Sequence, residues 1–311
     1  MKRSPMVRSL VLSLVLLLSL TACQATGERR PVSLREQEVP EGALGGDIAF
    51  VRETGVGTSA LYVKNLASGD DVEIPVDGDY VTSPAWSPDG SRIAYSTTDE
   101  KDWSHVWIAE ADGSNAKKLT SGLNANDYSV FMPDGKSIVF SSTAGEGGRW
   151  HLASIAVTGG EIEHLTSGLS DDVYPAVSPD GKSVVYASKR GEDSYHLASL
   201  DLTSGDTKMI TSGDFEDMFP SFSPDGSTVV FASTRQDEIW QLFTYDVASG
   251  EVKRLIGSDS VDRFPIYSPD GRYVLLATDH LAIYSADGES LPGGDLRWQV
   301  TEKPALSPAW R

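Results

Sequence analysis

Three sets of side chains in this 311-residue chain have types and spacings that invite chemistry. Asn126, Asp172, Asp217 and Asp262 each stand three residues ahead of a proline, or its equivalent, in a repeating pattern. Oxygen ligands gathered in an arc suit a hard cation such as Ca2+, or the positive end of a basic peptide. The same side chains can instead cap the N–H groups of their own loops. The arc is partial, because Val81 and Ala305 hold the position in the other two repeats. His105, His151 and His196 recur in the same manner, with Gln241 at the next equivalent place, as a metal cluster would require. Cys23 is the sole cysteine, which excludes an intramolecular disulfide.

These residues are carried by a repeat. Ser87-Pro88-Asp89-Gly90 returns as Met132-Pro133-Asp134-Gly135, Ser178-Pro179-Asp180-Gly181, Ser223-Pro224-Asp225-Gly226 and Ser268-Pro269-Asp270-Gly271, with the prolines 45, 46, 45 and 45 residues apart. Each unit reads as four short β-rich strands bounded by turn residues. Strand A precedes the turn (Pro84-Ala85-Trp86, Pro220-Ser221-Phe222) and strand B follows it (Ile93-Ala94-Tyr95, Val229-Val230-Phe231). Strand C comes next (Val106-Trp107-Ile108, Leu242-Phe243-Thr244), and strand D ends the unit near Leu119-Thr120 or Leu165-Thr166. Four strands in about 45 residues make a propeller blade. The first strand, Ile48-Ala49-Phe50, matches B, whereas the last residues, Ser307-Pro308-Ala309-Trp310, match strand A. The expectation is an all-β fold over residues 47–311: a six-bladed propeller of four-stranded antiparallel blades. It is closed by a C-terminal strand A that joins N-terminal strands B, C and D.

That architecture assigns roles. Strand C lies two strands, or about 10 Å, outside strand A. Equivalent histidines in neighbouring blades are then more than about 10 Å apart, against zinc–nitrogen bonds of about 2 Å. The three histidines are therefore expected to serve contacts between blades, and no metal site is expected from them. Trp86, Phe131, Phe222, Tyr267 and Trp310 are expected in the core between blades. The Ser-Pro-Asp-Gly turn is a scaffold hairpin, in which proline pre-sets the backbone, Asp caps and Gly takes the positive φ. The B–C and D–A loops vary and lie on the opposite face, where recognition is usually carried. The D–A loops rim the channel, and Asn126, Asp172, Asp217 and Asp262 are the candidate binding residues of that mouth.

Composition narrows the partners. The formal charge is −19, and removal of residues 1–22, with Lys2, Arg3 and Arg8, leaves −22. Such a chain argues against nucleic acid, whose phosphates need clustered cations, and suits solubility, cations or a basic partner. Residues 1–22 read as an export signal: a charged start, then an apolar run from Leu10 to Leu20 that is short for a membrane span. The junction Leu20-Thr21-Ala22-Cys23 resembles the bacterial lipoprotein box. The resemblance implies cleavage before Cys23, a diacylglyceryl thioether on it and acylation, as by palmitate, of its amine. Gln24 after the cysteine implies the outer membrane, facing the periplasm, in a Gram-negative host; in a Gram-positive host the anchor implies the external face of the plasma membrane. Residues 23–46 are polar, with Pro31, Pro40 and several glycines, and read as a tether reaching about 25 Å.

The repeat over residues 47–311 resembles the TolB-type propeller family, a relative of the WD-type repeat. The likeness rests on units such as Asp217-Met218-Phe219-Pro220-Ser221-Phe222-Ser223-Pro224-Asp225-Gly226 followed by Val229-Val230-Phe231. Where full TolB proteins carry an N-terminal α/β domain, this chain has the leader and tether. The resemblance implies a monomeric, non-enzymatic scaffold of the cell envelope that binds a protein or peptide partner, with no catalytic residue. No Gly-x-Ser-x-Gly elbow of a hydrolase occurs. The alternative is a carbohydrate-binding or lyase-like propeller with a cation at the channel mouth. No cofactor is expected beyond such a cation.

Overall fold

The structure, a computed structural model, describes residues 37–40, 44–101, 103–190, 194–236, 238–256, 261–291 and 297–311. The leader, Cys23 and the tether up to residue 36 lie outside these residues. The described chain forms six sheets, each with four antiparallel strands; in five of them the four run in sequence order from the inside outward, and in the sixth the inner strand is Leu306–Trp310, followed outward by three strands from residues 47–74. Blade 4 is representative, with strand A at Asp171–Val177, B at Ser183–Lys189, C at His196–Asp201 and D at Thr207–Met209. The other inner strands are Val81–Trp86 (blade 2), Asn126–Phe131 (blade 3), Asp217–Phe222 (blade 5), Arg263–Tyr267 (blade 6) and Leu306–Trp310 (blade 1).

Strand B is covered on both faces, so it reads as a nearly unbroken run of Val, Ile, Ala and aromatic residues, as in Ser137–Ser142. The core therefore lies between blades. Phe131, Ile138 and Phe140 of blade 3 pack with Ala94, Val106 and Ile108 of blade 2. Trp86 and Phe131 are buried in these interfaces, and Phe222, Tyr267 and Trp310 pack partly buried against them.

The recurring turn ties blades to one another as well as strand to strand. In blade 5, Ser223 Oγ donates to Asp225 Oδ1 at 2.6 Å, and the Ser227 N–H donates to the same oxygen at 3.0 Å. The donors from Ser223 and Ser227 hold the Asp225 carboxyl down at about 2, so it is an anion across the neutral range. The turn glycine has a positive φ, 74° at Gly226, and the preceding blade's proline lies beside it. A Cβ on Gly226 would lie 3.4 Å from Pro179 Cδ, and one on Gly271 would lie 3.4 Å from Pro224 Cδ. Proline of one turn thus lies on glycine of the next.

Blade 1 is built from both regions of the chain, as the repeat requires. Asp47 and Arg311 exchange two backbone hydrogen bonds of 3.0 Å. The Arg311 guanidinium donates to Asp47 Oδ2 at 2.7 and 3.0 Å and stacks 3.9 Å from the centre of the Trp86 ring. Arg311 also covers Gly90, taking the place of the proline turn that blade 1 lacks.

Part of the stretch read as a tether, residues 23–46, belongs to the propeller. Gln37–Glu38 pairs in parallel with Trp298–Gln299 as a fifth, outermost strand of blade 6, and Leu44 is buried. Composition conceals this, because a two-residue edge strand needs only free backbone donors and acceptors on its neighbour.

Gly46 has φ +96°, and a Cβ there would fall 2.0 Å from the Arg311 carbonyl oxygen. Gly46→Ala should therefore open the seam, lowering stability by more than about 2 kcal/mol. The check is thermal unfolding beside Gly57→Ala, where a Cβ meets nothing within 4 Å; the seam variant should melt several degrees lower than this control.

Candidate functional site

Strand A in every blade carries one extra residue. In blade 2, Thr82 pairs with Ser96 and Ala85 with Ala94, so three steps on strand A oppose two on strand B. The same shift occurs in blades 1, 3, 4, 5 and 6. At each bulge one residue adopts the left-handed conformation: Ser307 (φ 49°), Ser83 (50°), Tyr128 (58°), Tyr174 (55°), Phe219 (58°) and Phe264 (52°). All six line the central channel. For a bulky side chain this conformation costs about 1–2 kcal/mol, and it persists where its surroundings over-determine it.

Packing of the rings supplies that determination. The centroids of Tyr128 and Tyr174 are 4.0 Å apart, those of Tyr174 and Phe219 4.5 Å, and those of Phe219 and Phe264 4.2 Å. Tyr174 also reaches Phe264, two blades away, at 6.1 Å. Trp150 and Trp240 back this cluster, each 5.9 Å from the nearer ring. Aromatic pairs of this kind add about 0.5–1.5 kcal/mol each beyond their burial. The four rings plug the channel on the side of blades 3 to 6.

A cavity of about 370 Å3 adjoins the plug. Its lining begins at the bulge residues and runs toward the A–B turns, taking in Pro179 and Pro224 of those turns, with no residue from the earlier part of strand A. Pro84, Pro175, Pro220, Pro265 and Pro308 form its wall, and Phe222, Tyr267 and Trp310 stand partly exposed around it. The result is an apolar bowl, floored by aromatic rings. It opens on the face of the recurring turns, opposite to the face of the variable loops, where the sequence places recognition. A lining that is mostly apolar with a few hydroxyls is the usual character of a ligand pocket, and the volume is at the lower end of the usual range of about 300–1,000 Å3.

The structure places Asn126, Asp172, Asp217 and Asp262 within the walls between blades, each at most 1% exposed. Ser142 Oγ donates to Asn126 Oδ1 at 2.7 Å, and Ser188 Oγ to Asp172 Oδ1 at 2.6 Å. Arg235 Nη2 donates to Asp217 Oδ1 at 2.7 Å while its guanidinium sits 4.5 to 5.3 Å from the rings of Phe215, Phe231 and Phe243. The Asp262 N–H donates to the Trp240 carbonyl at 3.0 Å. The aspartates and histidines that recur separately in sequence meet across blade boundaries. His151 Nδ1 lies 3.9 Å from Asp172 Oδ2, and His196 Nδ1 lies 3.6 Å from Asp217 Oδ2. Where the following blade offers Asn126, His105 Nε2 instead lies 3.2 Å from Asp99 Oδ2 of its own blade. Among the described residues, no three His, Cys, Asp or Glu side chains are grouped to hold a metal ion.

The bulge ring escaped the sequence reading. Its signal was present as an aromatic before proline in Tyr174-Pro175, Phe219-Pro220 and Phe264-Pro265. A residue before proline is ordinarily pushed to extended backbone, so local rules point away from the conformation that the channel imposes.

Two outcomes follow for the polar walls. Asp217→Ala leaves the Arg235 guanidinium without its carboxylate and should cost about 3 kcal/mol, a fall of about 6–12 °C in Tm, read by calorimetry. Burial lowers the His105 pKa, with Lys118 acting in the same sense and Asp99 opposing. A histidine depressed in the folded state contributes full stability above its unfolded pKa of about 6.5. That stability is lost as pH falls from there toward the folded value. Urea unfolding between pH 7 and 5 should thus show a shallower loss for His105→Gln than for the parent.

Comparison with known proteins agrees with this architecture. A family model described as the TolB beta propeller domain matches residues 42–238, more than half of the chain. TolB from Acinetobacter baumannii superposes with a TM-score of 0.71 at 24% identity, over 85% of this chain and 66% of that one. The putative TolB from Agrobacterium tumefaciens gives 0.67 at 23% identity, over 82% of this chain and 98% of that one. These structural likenesses concern the fold. The uncharacterized peptidase YuxL of Bacillus subtilis (strain 168) is 31% identical over 90 residues, which are 29% of this chain and 14% of that one. With its six blades, its repeat and the matching family model, the chain belongs to the TolB beta propeller family.

Proposed function

We propose that this protein is a non-enzymatic, lipid-anchored propeller of the bacterial cell envelope that holds a protein partner at the apolar bowl. The observation that carries this reading is the bowl itself: an open apolar cavity of about 370 Å3 on the axis of a rigid disc, walled by prolines and aromatic rings. Sites of that character recognise apolar groups of a partner. The lipoprotein-like junction at Cys23 supports the anchor, and family membership supports the envelope. The likeness to the Bacillus peptidase spans 14% of that protein and brings no nucleophile elbow with it. A carbohydrate-cleaving reading needs acids converging on the axis, where this chain presents rings and prolines.

Ser221 lines the bowl and is partly exposed, so Ser221→Arg places a cation there while the aliphatic stem can follow the wall. Cross-linked capture from envelope extract should lose its specific partner in Ser221→Arg, with Tm unchanged within a degree or two. Partner lists identical to the parent would defeat the bowl as the docking site. Cys23→Ala should move most of the protein from the membrane pellet to the soluble fraction; retention in the pellet would defeat the anchor.

A further inference from the structure

The ring of bulge residues is incomplete, and the incompleteness is localised. Four of the six positions hold aromatic rings in mutual contact, whereas the other two, Ser83 and Ser307, lie side by side in blades 2 and 1. Their backbone is the same as at the aromatic positions, with φ 50° and 49° against 52° to 58°. Their strands also carry the same one-residue bulge. Both serines are partly exposed and line the bowl. The fold thus aims a side chain at the axis from all six blades, and at two neighbouring blades the side chain that would complete the plug is reduced to a hydroxyl. Tyr128 of blade 3 and Phe264 of blade 6 flank this recess in the ring order, and Pro84 and Pro308 follow the serines in its wall.

The geometry points to a specificity pocket for one aromatic side chain of the partner, received over Ser83 and Ser307 in the place of the missing rings. This rests on the bowl being the docking site. The molecule itself displays the chemistry that fills equivalent space, since at the other four positions the occupant is Tyr or Phe packed at 4.0 to 4.5 Å from its neighbour. Two hydroxyls at the base favour an occupant with a polar tip, a tyrosine O–H or tryptophan N–H, which needs a hydrogen-bond partner once buried. Among the described residues no charged side chain lines the bowl, and the nearest carboxyl, Asp127, is buried behind Ser83 and already accepts from Thr82 Oγ1 at 2.9 Å, so a lysine or carboxylate entering the bowl would be desolvated without a free opposite charge. A single aromatic anchor in a formed pocket, surrounded by contacts that exclude water, is the usual form of an interface hot spot.

The probes are 4-methylphenol and the blocked peptides Ac-Gly-Tyr-Gly-NH2 and Ac-Gly-Lys-Gly-NH2, followed by NMR titration against the whole protein. Ser83→Phe and Ser307→Phe complete the ring from within, on a backbone that already holds the conformation. The expected result is saturable binding of the phenol and the tyrosine peptide, with no binding of the lysine peptide and at least a tenfold loss of affinity in both variants. Absence of saturable binding of 4-methylphenol, or equal binding by the parent and both folded variants, overturns the inference. Cross-linked capture separates the two claims. Partner loss in Ser221→Arg with retention in both phenylalanine variants sinks the recess and keeps the bowl. Retention in all three sinks both.

Discussion

Six strands that converge on one axis leave little room between them, and the single extra residue in each strand A governs how that room is used. A bulge re-aims the side chain at its centre and breaks the alternation of the strand. Here it divides each inner strand into two halves. The half before the bulge engages neighbouring blades through polar groups, as when Thr82 Oγ1 of blade 2 donates to Asp127 Oδ1 of blade 3 at 2.9 Å. The half after it builds the apolar wall, where Val130 resumes pairing with Val139. The left-handed residue between them closes the axis. Without the bulge the aromatic side chains would follow the ordinary alternation of a strand and would not meet their counterparts two blades away.

The disc is held at both faces by different physics. At the D–A end the ties are buried and polar, with Asp172 near His151 and Asp217 near His196 of the preceding blade, while Ser188 and Arg235 of their own blades donate to the two carboxylates. Such groups are expensive to leave unpaired, so their strength lies in the cost of breaking them. At the A–B end the ties are steric, proline resting on the glycine of the next turn. Between the two lies the hydrophobic packing of strand B against its neighbours. The interior of the bowl owes its openness to this division, since neither set of ties has to cross the channel.

The architecture was legible in the sequence because propeller blades are local. Each Ser-Pro-Asp-Gly turn and each run such as Val229-Val230-Phe231 declares its own strand, and the mismatch between Ile48-Ala49-Phe50 and Ser307-Pro308-Ala309-Trp310 declares the seam. The site was far less legible. Asn126, Asp172 and Asp217 recur because each accepts from a donor of its own blade at the same place on strand A, and recurrence of that kind resembles a binding arc when only one dimension is visible. The partners that settle the matter, Ser142, Ser188 and Arg235, are 16 to 18 residues away on strand B or just beyond it. The bulge residues are set by crowding at the axis, a tertiary effect that no local propensity encodes. The pairing of Gln37–Glu38 with Trp298–Gln299 is hidden for the same reason.

The seam at Asp47 and Arg311 has a bearing on how the molecule assembles. Blades 2 to 5 each arise from strands adjacent in the chain, so their hairpins can form as soon as about 45 residues are free. Blade 1 joins residues 264 positions apart. The entropy of closing a loop grows only with the logarithm of its length, about 0.6 kcal/mol per doubling, so the delay is one of order rather than of energy. Until Arg311 is free, the B strand of blade 1 presents an unpaired inner edge, and such an edge is a template for a second chain. In kinetic terms the last five or six residues are the latch of the ring. A copy halted just before them would keep nearly all its sheets and would be the species most prone to pair with its own kind.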